Sequence, residues 1–141
     1  FVDRINKLHQ RLGNTSNWEE KYKTIINFGK DMPLMDEAYK TEENKVKGCQ
    51  SQVWLHCWSE DGLLRFSGDS DAAIVKGLVA ILLSVYDKTP ADEILKFKAQ
   101  FIDELGLRQH LSMSRANGLN AMLKQIVIYA MAFKAKESLS I

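Results

Sequence analysis

Residues 74–85 read Ile-Val-Lys-Gly-Leu-Val-Ala-Ile-Leu-Leu-Ser-Val, with Lys76 as the only charge. As a helix, Ile74, Val75, Leu78, Val79, Leu82 and Val85 place apolar side chains around most of the circumference. A helix of that kind must be covered on nearly every side. The uninterrupted apolar part, residues 78–85, is far shorter than a bilayer span. The segment is therefore expected to be the buried central helix of a fold that wraps its other elements around it.

The flanking sequence supplies those elements. Val2, Ile5, Leu8 and Leu12 recur at helical spacing, and Gly13 reads as a stop. Ser16-Asn17-Trp18-Glu19 has the pattern of a capping box opening a second helix. That helix carries Trp18, Tyr22, Ile25, Ile26 and Phe28 and ends before Gly29. Residues 30–44 are polar and irregular, a surface connection.

Val53-Trp54-Leu55-His56-Cys57-Trp58, a turn at Ser59-Glu60-Asp61-Gly62, and Leu63-Leu64-Arg65-Phe66 form a hairpin, which a short strand at Lys45-Val46-Lys47 can extend. Gly68-Asp69-Ser70-Asp71 ends the sheet, and its carboxylates suit the cap of the central helix. Thr89-Pro90-Ala91-Asp92 starts another helix, with proline at its first position. A last long helix begins near Ser112, with a stripe of Leu119, Met122, Leu123, Ile126, Val127, Ala130 and Phe133. The order predicts an α+β fold: a small antiparallel sheet of about three strands covered by helices on one face.

The 141 residues amount to a single domain, 1–141, large enough for a substantial core. Nineteen basic and eighteen acidic residues leave a formal charge of +1. No Lys/Arg block stands out, which argues against nucleic acid as a partner. No charged leader with an apolar core opens the sequence, which begins at Phe1. Two cysteines seven residues apart, Cys49 and Cys57, make neither a disulfide framework nor a CxxC or zinc spacing. Reduced thiols in the cytoplasm, with no membrane association, are the expectation.

Cys57 alternates with Val53 and Leu55 and reads as a small core residue. Cys49 differs: it follows Gly48 in a polar loop entering the first clear strand, although free cysteine prefers the interior. A reactive thiol and an incidental surface thiol both fit that local pattern, since reactivity depends on exposure and acidity. His9, His56 and His110 show no metal-ligand or Cys–His spacing and read as ordinary histidines. Asp69 and Asp71 read as capping residues, one of which can also face a partner. Arg115 sits in the first turn of the last helix, where a cation opposes the helix dipole. It either pairs with a carboxylate, lies near the thiolate, or is a plain surface residue.

Three blocks resemble the SufE/CsdE family of sulfur-acceptor proteins: Gly48-Cys49-Gln50-Ser51-Gln52-Val53-Trp54, residues 68–78 from Gly68-Asp69-Ser70-Asp71 onward, and residues 111–119 around Ser114-Arg115-Ala116-Asn117-Gly118. They occur in order at family-like spacing, and Trp18-Glu19-Glu20-Lys21-Tyr22 is similar to the family's second helix. Residues around Cys49 and Asp71 look closer to SufE, whereas residues 101–108 and 118–121 look closer to CsdE.

The resemblance implies that Cys49 is the reactive cysteine, taking a sulfane sulfur from a cysteine desulfurase that itself holds pyridoxal phosphate. The sulfur then passes to an iron–sulfur cluster scaffold or another acceptor. It implies a carrier rather than a stand-alone enzyme, with no metal or cofactor of its own. Gly48, Gln50, Ser51, Trp54, Asp69, Asp71 and Arg115 are the supporting or partner-binding candidates. Trp54 and the last helix are expected to shelter the sulfur between partners. A desulfurase-docking module with an incidental cysteine and a Cys-His hydrolase are the competing readings.

Overall fold

A computed structural model describes residues 1–13, 17–109 and 111–139. The apolar segment becomes helix α3, Ala73–Tyr86, and eleven of its residues are buried. Around it are α1 (Val2–Leu12), α2 (Trp18–Asp31), the hairpin β1 (Val53–Glu60) and β2 (Leu63–Ser70), short helices α4 (Ala91–Lys96) and α5 (Phe101–Glu104), and the long α6 (Met113–Leu139). The expected α+β class is the one observed.

Helix α2 crosses α3 backbone to backbone. A β-carbon placed on Gly77 would lie 2.1 Å from the Ile25 carbonyl oxygen, and one on Gly29 would lie 2.9 Å from the Gly77 amide nitrogen. Gly29 is therefore not the stop expected from sequence: α2 runs on to Asp31, and the glycine sits where the two helices touch. The opening of α2 also differs. Asn17 is the N-cap, its side chain accepting from the Glu20 amide at 2.9 Å. The Ser16 of the expected capping box lies outside the described residues.

The hairpin turns on Asp61 and Gly62, both with positive φ (54° and 79°), as a two-residue turn matching strand twist requires. The register pairs Val53 with Ser70 and Glu60 with Leu63. Val53, Leu55, Cys57, Leu64 and Phe66 point into the core, where α3 packs on β2. Among the described residues the sheet has two strands. The expected third, at residues 45–47, is reduced to a bridge between Lys45 and Trp54, with Leu64–Thr89 bridging the other edge.

Strand β2 runs through Ser70, further than expected, and this overturns the capping role for Asp69 and Asp71. Pairing holds residues 69 and 70 in the sheet, the N-cap of α3 is Ala72, and no side chain caps it. At α4, Pro90 occupies the N-cap and Ala91 is the first helical residue, one position from expectation. Helix α6 buries Gly118, Leu119, Met122, Ile126 and Ala130, and Tyr129 donates from its hydroxyl to the Leu55 carbonyl at 2.9 Å.

Cys57 is a core residue. Burial, with the Asp87 charge, pushes its thiol from 9.0 up to about 12. In the folded state it keeps a proton that the unfolded chain gives up near 9, so stability should fall as pH rises through that window. Urea midpoints recorded across the window are expected to decline, and to decline less steeply in Cys57→Ala. Tyr86, pushed by burial from 10.0 to about 12, contributes a slope of the same sign.

Candidate functional site

The loop carrying Cys49 is closed at its base by backbone. The Val46 amide donates to the Val53 carbonyl at 2.8 Å, and the Leu55 amide to that of Asn44 at 2.9 Å. Asp71 adds a second clamp: its carboxylate accepts from the Gln52 amide at 3.0 Å, and its own amide donates to the Gln52 carbonyl at 3.2 Å. Gly48 supplies the bend at φ 95°, a conformation a side chain would strain. The loop then lies on α6, with a β-carbon at Gly48 only 3.5 Å from that of Ala121.

This arrangement lays the Cys49 sulfur on α6. Its thiol donates to the Gly118 carbonyl at 3.7 Å, and the sulfur rests 3.4 Å from where a β-carbon on Gly118 would stand. Beside it opens a cleft of about 320 Å³. Val75 from the first turn of α3, with Met122 and Gly118 from α6, forms its apolar floor. Gln50, Ser51, Ser112, Ser114 and Arg115 form its polar rim. Ser112 also accepts from the Arg115 amide at 3.3 Å, which fixes the start of α6 over the cleft.

Burial pushes the Cys49 thiol above its ordinary value. The hydrogen bond to Gly118 acts in the same sense, because only the protonated thiol can donate it. The resting site therefore holds a thiol, not a thiolate. The exposed Arg115 has no carboxylate in ion-pair range among the described residues, so the one cation on the rim is available to an incoming anion.

Of the residues singled out in the sequence, Gly48, Cys49, Gln50, Ser51 and Arg115 gather here, while Asp71 holds the loop from below. Trp54 and Asp69 lie apart from the cleft. They face each other across the hairpin, and Lys40 lies between them, 5.9 Å from the Trp54 ring and 2.6 Å from the Asp69 carboxylate. The apolar shelter comes from Val75, Gly118 and Met122, and Trp54 does not line it. Val75, Met122, Ser112 and Ser114 went unnoticed as site residues, although the resembling blocks contain three of them. Only the packing of α3 on α6 turns them toward one point.

Asp69 ties the polar connection to the sheet. Its carboxylate holds Lys40, Lys76 at 3.4 Å and the Ser70 amide at 2.8 Å. Burial alone would raise its pKa, but the two lysines and the amide outweigh burial and hold it below the usual carboxylate range. Asp69→Ala takes the carboxylate from Lys76 and the Ser70 amide and leaves Lys40 with only the exposed Glu37, at 2.8 Å. A loss of roughly 1–3 kcal/mol in urea unfolding is expected.

His56 stacks between Tyr39 (3.9 Å) and Trp58 (5.4 Å), and burial lowers its proton affinity. His9 lies 3.7 Å from Glu104. Among the described residues no histidine lines the cleft; His110 lies outside them. Lys45 pairs with Glu42 at 3.0 Å, and Lys47 faces a separate groove with Lys124. Among the described residues no helix is long and apolar enough to cross a membrane.

Residues 6–130 match the model of the SufE family, described as an Fe-S metabolism associated domain. The chain belongs to the SufE family. An uncharacterized SufE-like protein of Rhizobium meliloti is 48% identical over 114 residues, covering 77% of this chain and 81% of the relative. A second, from Rhizobium etli, is 45% identical over 115 residues and covers 78% of each. The solution structure of a hypothetical protein from Thermus thermophilus shares the fold, with a TM-score of 0.75 over 92% of this chain and 94% of that one, at 18% identity. The SufE resemblance of the three blocks thus extends over most of the chain.

Proposed function

We propose that Cys49 accepts a sulfane sulfur from the persulfide of a cysteine desulfurase and delivers it to iron–sulfur cluster assembly, stimulating the desulfurase as it does so. The observation that carries this reading is the clamped loop, which sets one thiol half-buried at the edge of a cleft with a free cation on its rim. Membership of the SufE family supports it. In this role the protein is a cytoplasmic carrier of one domain, residues 1–141, rather than a stand-alone enzyme. The desulfurase brings the pyridoxal phosphate.

The chemistry is exchange at sulfur. The Cys49 thiolate attacks the outer sulfur of the desulfurase persulfide, a new S–S bond forms at Cys49, and the old one breaks. The desulfurase cysteine leaves as a thiolate, so nothing is oxidised or reduced overall. A second exchange passes the outer sulfur to a thiolate of the acceptor and returns Cys49 to its thiol. Because the resting thiol is protonated, docking must lift it from the Gly118 carbonyl before it can ionise and attack. Gln50, Ser51 and Arg115 are then the groups nearest the transferring sulfur, and Gly48 and Asp71 govern how the loop presents it.

Desulfurase turnover tests the reading. Alanine release from cysteine should rise when the protein is added and should not rise with Cys49→Ser. Stimulation that survives the substitution would instead mark a docking module in which Cys49 is incidental.

A further inference from the structure

We infer that Gly118 is a positioning residue for Cys49: the space left by its missing side chain is the seat in which the sulfur is sheltered between partners. The second turn of a long helix is a poor place for glycine, which costs roughly 1 kcal/mol relative to alanine in a helix interior. Nothing in the backbone asks for it, since the positive-φ glycines are Gly48, Gly62 and Gly106. What the position offers is room. A β-carbon on Gly118 would stand in ordinary van der Waals contact with Cys49, 3.4 Å from its sulfur and 4.0 Å from its β-carbon, and among the described residues no other part of the chain comes within 4 Å of it outside α6 itself. The same residue presents the carbonyl that receives the thiol hydrogen at 3.7 Å. Gly118 thus supplies both the floor and the acceptor, and a side chain longer than a methyl group there competes with the sulfur for one space.

Two helix glycines of this chain therefore carry opposite consequences. At Gly77 an added β-carbon meets backbone, which cannot yield without moving a helix; at Gly118 it meets only the end of a side chain on a loop. Gly118→Ala should hold or raise the melting temperature through helix propensity and leave Cys49 in its seat, the added methyl resting against the sulfur. Gly118→Val, with two further methyl groups, should displace it fully.

Displacement has two readouts. Alkylation by iodoacetamide, followed residue by residue after digestion, reports access to each thiol, and Cys57 in the core serves as an internal monitor of unfolding. We expect Cys49 to react at close to the parent rate in Gly118→Ala and several-fold faster in Gly118→Val, with Cys57 as protected as in the parent. Cys49 labelling in Gly118→Val no faster than in the parent would overturn the inference. So would equal acceleration of both cysteines, which would mean general loosening. The second readout rests on the proposed function: a persulfide loaded onto Cys49 should be lost sooner to a small thiol such as dithiothreitol. In that loss the reagent thiolate takes the outer sulfur and Cys49 leaves as thiolate. A persulfide as long-lived in Gly118→Val as in the parent would count against the seat. Failure of the parent to form any persulfide would count against the sulfur-carrier reading and leave the alkylation result standing.

Discussion

Gly77→Ala is expected to lower the melting temperature by on the order of 10 °C, because no other glycine of the chain would bring an added methyl group so close to its neighbours. The added carbon would stand 2.1 Å from the Ile25 carbonyl oxygen and 2.6 Å from its carbon. Neither can move without carrying α2 off α3. Overpacking a core ordinarily costs about 1–3 kcal/mol, and a clash with backbone at a helix crossing belongs at or above the upper end. The gain in helix propensity, roughly 1 kcal/mol, recovers only part of that loss. Thermal unfolding followed by circular dichroism checks it. A melting temperature equal to that of the parent would mean that the two helices do not cross at this distance.

The second large effect is chemical. Cys49→Ser is expected to abolish sulfur acceptance while leaving the melting temperature nearly unchanged, because the side chain is only half-buried and serine is close in size. A hydroxyl of ordinary acidity supplies neither the nucleophile nor the leaving group that sulfur exchange requires. Cys57→Ala should show the reverse pattern. It removes a buried sulfur from the core, costs about 1 kcal/mol, and leaves acceptance intact because its thiol, pushed up to about 12, stays protonated and faces inward. Labelling with a sulfur isotope supplied as cysteine to the desulfurase would separate the two variants.

Much of this was legible in the sequence where one segment carries its own signal. The buried helix declared itself by having one charge in residues 74–85, and Ser59-Glu60-Asp61-Gly62 declared the hairpin turn, although its first two residues belong to β1 and only Asp61 and Gly62 make the bend. Cys49 stood out as a cysteine in a polar loop, although the local pattern left a reactive and an incidental thiol equally open. The resemblance of three blocks carried the assignment further. What stayed hidden belongs to pairs of segments. Gly29 looked like a helix stop because periodicity describes one helix at a time and says nothing of a neighbour crossing it. Asp69 and Asp71 looked like caps because acidic residues before an apolar helix usually are. The strand register decided otherwise, turning one toward two lysines and the other toward the Cys49 loop. The seat at Gly118 depends on a loop and a helix 69 residues apart, and no spacing within either segment encodes it.

The central claim is that Cys49 carries sulfur, and the mass of the intact protein tests it most directly. The protein is incubated with a cysteine desulfurase and cysteine, then weighed without reductant. The parent and Cys57→Ala should each gain the mass of one or more sulfur atoms, released by dithiothreitol, and Cys49→Ser should gain none. A parent protein that gains no sulfur, or a Cys49→Ser variant that gains as much as the parent, would contradict the account.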